Sequence, residues 1–356
     1  MGWLRKVAIG VGLAFGLAAT PVIWVETSCS KPRLAAAAEP PILAPEHRRN
    51  LVDTWLTYPE WSIVHAYEDF AAVGRERGEA AFDYASPVMG YWSNLCQIYG
   101  VASQRGEITG AMRAMLHIIG LSFTGEMAVK GAWEGTIGRL TAWWRGPITT
   151  AEDNFAANVN DEYAAFLRQT PWYEFPFGKT LLRLWTEPRF GTVSLVRSAE
   201  RRIALTMEYG VKAGYARLIG VAAGLAPAKL TIRTVVAGLD SADLATDPRI
   251  TVIERRSDGT TIVETPRYRA FTEILQGLAD RGRTIIEIAG NREIFVTVIA
   301  SKNAPPLAGT RPLLSAPMQA NPGLERRGVT IDTATLADVL LRLKAGPARL
   351  DHVYDY

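Results

Sequence analysis

Between Val7 and Val25 the chain carries no charged residue, directly behind Arg5 and Lys6, and this constrains what it can fold into more than any other feature. About twenty apolar residues cross the hydrocarbon core as a helix. The apolar region of a cleavable leader is roughly 7–15 residues long and ends at a small-x-small site. The run is long for a leader, and Pro21, Trp24 and Glu26 close it as a membrane interface would, with tryptophan at headgroup depth. Ala35 to Ala38 offers small residues for cleavage, well past the run. The expectation is an uncleaved transmembrane anchor over residues 1–28 and a linker over 29–50. Cys29 follows Glu26-Thr27-Ser28, which is not a lipidation context, and Lys6 stands where myristoylation wants Ser or Thr. Arg5 and Lys6, set against Lys31 and Arg33, bias the amino terminus inward and the body to the extracytoplasmic side.

The remainder has the composition of a folded body: 48% hydrophobic and 21% charged, enough for one or two cores. A net charge of +3, with no run of Lys and Arg interleaved with aromatics, argues against a nucleic-acid partner. Exported, Cys29 and Cys96 would be able to pair and tie the anchor's exit to the first helices. The competing expectation makes Cys96 a small buried hydrophobe.

From Leu51 to about Ala226 apolar residues recur at helical spacing, predicting helices near 61–75, 79–102, 107–145, 151–169, 177–187 and 192–225. Thr150 before Ala151-Glu152-Asp153 is an N-cap candidate, and Gly146-Pro147 ends the helix before it. After Pro227 strand chemistry takes over. Residues 229–236, 250–254 and 260–264 read as strands, with Ser257-Asp258-Gly259 as a hairpin turn. Pro266 opens a helix to about Asp280, and 283–289 with 293–299 reads as a second hairpin around Gly290-Asn291. Residues 303–328 read as an irregular connection, 333–344 as a last helix, and 350–354 as an edge strand. The fold class expected is α+β: an N-terminal transmembrane helix, a mainly helical bundle over 51–226, and a small sandwich-like module over 227–356.

Two segments share the pattern T-x-E-x-x-V-K-x-x-aromatic-x-x-x-I-G, one from Thr124 to Gly138 and one from Thr206 to Gly220. Glu126, Lys130, Trp133 and Ile137 fall on one helical stripe, as do Glu208, Lys212, Tyr215 and Ile219. The chain has only eight lysines, so two at matched positions stand out. Three readings are open: surface pairs worth a few tenths of a kcal/mol, two buried pairs facing one another in a pseudo-symmetric bundle, or a polar site where desolvation depresses a lysine and raises a glutamate. Glu60 and His65 form a further acid/base candidate, with Asp69 four residues behind His65; the plain alternative is a helix start. No His-Glu-x-x-His signature or other metal motif occurs, no nucleophile elbow and no phosphate-binding glycine loop, so no metal or cofactor is expected.

The aromatic loop Trp172, Tyr173, Phe175 and Phe177, together with Trp143-Trp144, reads either as a membrane or partner contact or as a plug of the bundle. The ten tryptophans gather before residue 190, which leans this region toward the bilayer. Residues 111–129 and 203–225 are themselves moderately apolar, but charges at mid-membrane are costly unless paired. The function expected is a membrane-anchored cell-envelope protein of non-enzymatic scaffold, assembly or sensing type, with the lipid bilayer and an envelope protein as partners. The alternative is a helical-domain pocket for a lipid or other small apolar ligand, with Glu/Lys acid-base chemistry.

Overall fold

The computed structural model describes residues 19–34, 40–191, 193–223 and 230–356. Most of the expected membrane-crossing segment, the Ala35–Ala38 cleavage candidate and the boundary at 227 lie outside the described residues. Residues 19–28 are helical. Among the described residues no helix is long and apolar enough to cross a membrane. The chain is α+β, with a helical region followed by two small antiparallel sheets.

The helical region comprises α1 (Asp53–Leu56), α2 (Tyr58–Arg77), α3 (Ala85–Arg105), α4 (Gly110–Trp133), α5 (Arg139–Arg145), α6 (Ala151–Leu167), α7 (Phe177–Thr186) and α8 (Leu195–Ala223). A π-helical turn, Glu134–Gly138, joins α4 to α5, so the long helix expected over 107–145 is interrupted once. Thr150 caps α6 in a full capping box with Asp153, satisfying two backbone donors at once. Thr109 accepts from Met112 N at the start of α4. Helix α2 is central: it packs on α3, α4 and α6 and buries residues on most of its circumference. That is why its apolar pattern shows no single stripe.

Beyond residue 230 two units of the same topology follow one another. The first holds β1 (Thr231–Ala237), a short α9 (Ser241–Thr246), β2 (Thr251–Arg255), β3 (Thr260–Pro266), α10 (Tyr268–Asp280) and β4 (Thr284–Ile288). The second holds β5 (Glu293–Ser301), β6 (Arg311–Pro317), β7 (Leu324–Asp332), α11 (Thr333–Ala345) and β8 (Arg349–Tyr354). The sheet orders correspond, β2-β3-β1-β4 and β6-β7-β5-β8. The register breaks correspond too: Val235/Val236 with Thr297/Val298, and Val252/Glu254 with Pro312/Leu314. The helices cross over, α10 packing on β8 and α11 on β4, so one core of Phe271, Leu275, Ile285, Val296, Leu336 and Leu340 closes both units.

Two expectations are corrected here. Residues 283–299 are not a hairpin: β4 pairs with β1, β5 pairs with β7 and β8, and Gly290, at φ 84°, turns the chain from one sheet into the other. Residues 303–328 are not an irregular connection, because they carry β6 and most of β7. Prolines 312 and 317 conceal β6, and they are tolerated because β6 is an edge strand. In β7 the Arg326-Arg327-Gly328 stretch conceals a central strand; Gly328 sits so close under the Phe295 ring that a Cβ would collide with it.

The chain between residues 40 and 55 fastens the two regions together. The backbone N–H groups of Ile42 and Leu43 donate to the buried Glu287 carboxylate at 2.6 and 2.9 Å. Thr54 Oγ1 donates to Tyr354 O (2.7 Å) and accepts from Phe295 N (3.0 Å), and Trp55 Nε1 donates to Thr330 Oγ1 (3.0 Å). Phe295, Leu314 and Tyr354 thereby join the aromatic core of the helical region.

Candidate functional site

The matched Glu–Lys segments meet. Helices α4 and α8 run antiparallel, with Ser122 beside Tyr215, Glu126 beside Lys212 and Lys130 beside Glu208. Lys130 Nζ lies 2.9 Å from Glu208 Oε1, and Lys212 Nζ lies 2.7 Å from Glu126 and 3.0 Å from Glu208. Aromatic faces enclose the seam: Phe70 is 4.3 Å from Lys130 Nζ, and Tyr67 and Tyr163 are 5.0 and 4.9 Å from Lys212 Nζ. Burial pushes the Glu208 carboxyl upward, but the Lys130 and Lys212 ammoniums outweigh it and hold it at about 2. Burial also works to lower Lys212; Glu126, Tyr67 and Glu208 outweigh it, and its pKa rises well above the ordinary lysine value. A lysine acting as a general base needs the opposite shift. The seam keeps its charges fixed, which suits a structural lock.

A second buried network surrounds Arg201 at the π-helical turn. Its guanidinium, 1% exposed, reaches Glu79 at 3.0 Å, Glu200 at 2.7 Å and Glu134 by a short contact. Glu200 also accepts from Arg197 (2.7 Å), Trp133 Nε1 (2.6 Å) and Thr141 Oγ1 (3.1 Å). Arg197 continues to Asp153 at 2.8 Å and Arg202 pairs with Glu152 at 3.0 Å. Burial, only partly offset by Arg201, raises the Glu134 carboxyl, and among the described residues its Oε2 has no hydrogen-bond partner. Gly138 is required here, since a Cβ would run into that carboxylate. Four residues apart, Glu134 and Gly138 both face the inner side of the π turn.

A third network lies where the helical region meets β8. Asp351 accepts from Arg326 at 2.7 Å and from Thr297 Oγ1 at 3.0 Å, and lies 3.5 Å from Arg168 and 3.6 Å from His65 Nε2. Glu68 pairs with Arg168 by a short contact, and lies 3.5 Å from Arg326 and 3.3 Å from His65 Nδ1. Burial would raise the Glu68 carboxyl, but His65 and Arg168 draw it down to about 2. His352 stacks on Trp61 with ring centroids 3.8 Å apart. Burial depresses its imidazole to about 3, assisted by His65 and Arg168 against the pull of Asp351. Thr272 Oγ1 accepts from Val353 N and lies 3.4 Å from His352 Nδ1. A cleft of about 330 Å³ opens beside these rings, lined by Trp61, Arg168, Arg269, Glu273, Asp351 and His352 among others.

The other expected residues are placed as follows. His65 turns inward to Glu68 and Asp351, while Glu60 is exposed on α2, so the two do not form an acid/base pair. Asp69 accepts instead from the backbone N–H of Gln319 (2.8 Å) and Ala320 (3.2 Å), so the His65–Asp69 pair does not form either. Among the described residues no group of His, Cys, Asp and Glu is placed to hold a metal ion. The aromatic loop divides. Phe175 and Phe177 are buried against Tyr163 and plug the bundle, which corrects their reading as contact residues. Trp172 and Tyr173 are half-buried, and Trp143 and Trp144 stand 76% and 70% exposed. Cys29 and Cys96 are joined by a disulfide with Cα atoms 5.0 Å apart, closing 67 residues of chain. Loop-closure entropy for such a span is about 4 kcal/mol.

The networks at Arg201 and Asp351 escaped sequence reasoning. Ser198-Ala-Glu-Arg-Arg202 carries a signal, three charges inside a helix flanked by Leu195, Val196 and Ile203, but it reads equally as a solvated face. Arg168, Arg326 and Asp351 carry none, since Arg168 stands more than a hundred residues from the other two. No known protein family, curated protein or solved structure matches this chain.

Proposed function

We propose that this chain is a membrane-anchored protein with an extracytoplasmic body, non-enzymatic in type, serving as a scaffold, assembly or sensing subunit of a cell-envelope complex. The observation that carries this reading is the fate of its charged side chains. Glu126, Lys130, Glu208 and Lys212 are spent on one another, and the lowered Glu208 and raised Lys212 stabilise the charged pairs instead of poising a proton for transfer. The Cys29–Cys96 bridge supports an oxidising compartment. The end of the apolar run is rigidly coupled to the body: Val25 is buried, and Glu26 meets His117 at 2.8 Å and Tyr99 at 3.1 Å.

The test is Lys130→Met beside Lys212→Met. Each is expected to lower melting temperature and abundance together, Lys212→Met more strongly, by ~2–4 kcal/mol, because it leaves Glu126 without a counter-charge, whereas after Lys130→Met Glu208 keeps Lys212. Unchanged melting with lost cellular function would instead make the seam a working site and defeat the scaffold reading.

The cleft beside Trp61 and His352 favours a second reading, a small polar ligand held between the helical region and β8. Native mass spectrometry of the full-length protein, gently extracted from its host, is expected to show added small-molecule mass on this reading. Added polypeptide mass supports the scaffold.

A further inference from the structure

We infer that the face built by α4, α5, α7 and α8 is an interfacial docking surface that lies on the lipid bilayer, at headgroup and upper acyl depth. This rests on the anchored reading above and names the surface with which the body meets the membrane.

Exposed large apolar side chains are distributed unequally. Among the described residues twenty fall between Met89 and Leu218, and only three from Leu230 onward. On α8 they form one stripe, Val196, Ile203, Met207, Val211 and Leu218, recurring at steps of four and seven over about 33 Å of helix. On α4, Met115, Ile118 and Val129 form another. Both stripes are displaced in the same rotational sense from the Glu–Lys seam. In an antiparallel pair such as α4 and α8, that places them on the same side.

Helix α7 extends the face beyond α8, since Trp185 Nε1 donates to Thr206 Oγ1 at 3.1 Å and Leu182 is 66% exposed. Helix α5 adds Leu140, Trp143 and Trp144 where it crosses α8 at Thr141 and Arg197. So many exposed large apolar side chains on neighbouring helices are uncommon on a monomer surrounded by water.

Three observations identify the occupant as lipid. The residues that precede the described chain carry most of the apolar run, and that run enters the structure at residue 19. Its last helical turns are clamped to α3 and α4 by the Cys29–Cys96 bridge and by Glu26, so no slack tether separates a membrane segment from the face. The side chains are those of an interface, with tryptophans 143, 144 and 185 at the surface and exposed Arg139, Lys179 and Arg189 within a turn of the apolar residues. Such cations suit the anionic headgroups of a mixed bilayer.

The test is hydroxyl-radical footprinting of the full-length protein in nanodiscs of phosphatidylcholine and phosphatidylglycerol, with copies per disc counted by native mass spectrometry. Met115, Trp144 and Met207 are expected to oxidise several-fold more slowly than Ile253 and Leu341 of the sheet region, each normalised to its intrinsic reactivity, with one copy per disc. Val211→Asp with Leu218→Asp is expected to raise the rates at Met207 without moving the melting temperature, both side chains being exposed in the fold. Equal rates on a chain that stays in the disc overturn the docking face and leave the anchor standing. Slow oxidation only where two copies share a disc overturns it in favour of self-association. A chain that leaves the disc overturns the anchored reading itself.

Discussion

Arg201→Met is expected to cost about 3–5 kcal/mol, a large share of the stability of an ordinary domain, because it leaves buried Glu79 and Glu134 without their counter-charge while Glu200 keeps Arg197. Glu79, Glu134 and Glu200 all converge on this one guanidinium. Burial works to lower the arginine, the three carboxylates outweigh it, and its pKa is raised well above the ordinary value, so it stays charged. The loss falls on two turns and a helix at once, since Glu79 lies in the turn between α2 and α3, Glu134 in the π turn and Glu200 on α8. Arg201→Lys is expected to recover only part of the loss, because an ammonium cannot span three carboxylates as a planar fork does. Adding Glu134→Gln to Arg201→Met is expected to recover stability, since Glu134 already has a raised pKa and an unpartnered oxygen. Chemical denaturation of the three variants checks this, and a wild-type midpoint for Arg201→Met would remove the cluster from any account of the fold.

Acidification is expected to loosen the junction between the helical region and β8 in two stages. His352 titrates near 6.5 in the unfolded chain and at about 3 in the fold. Between those values the unfolded chain binds the additional proton, so stability falls as pH falls, by up to ~1.4 kcal/mol per unit. His65, packed against Glu68, Asp351 and Arg326 and also lowered by burial, acts in the same direction below pH 6.5. Glu68, held at about 2, and Asp351, held lower still, contribute stability that is complete above about pH 4.5 and is lost as pH falls toward 2. Melting temperature is therefore expected to decline already between pH 6.5 and 5, before ordinary carboxylates titrate. The variant His65→Gln/His352→Gln is expected to flatten that first decline and keep the second. A wild-type melting temperature level from pH 7 to 5 would show that neither imidazole is held neutral by the fold.

How much was legible depends on the range of the interaction. Thr150 and Asp153 cap α6 as their spacing predicted, because a cap is a contact between residues three apart. Asp258-Gly259 turns β2 into β3, with Gly259 at φ 81°, for the same local reason. Gly290-Asn291 carries a similar signal and makes no hairpin, since β1, β7 and β8 compete for the strands on either side. The repeat of the two sheet units was not legible, being preserved in topology and register breaks and not in residue identity.

The sequence by itself determined the local and the periodic: the helical and strand regions, the main caps and turns, the apolar run behind Arg5 and Lys6, and the face on which Glu126, Lys130, Glu208 and Lys212 lie. Only the tertiary structure decided how those faces are used. It joined Lys130 to Glu208 and Lys212 to Glu126 across α4 and α8 beside the Glu208–Lys212 pair within α8, turned Phe175 and Phe177 inward while leaving Trp143 and Trp144 outside, and brought Glu68, Arg168, Arg326 and Asp351 together from four parts of the chain. The physical reason is that helix and turn signals are written over a few residues. The partner of a buried charge is set by packing between elements remote in sequence, where burial makes an unpaired ion too costly to keep.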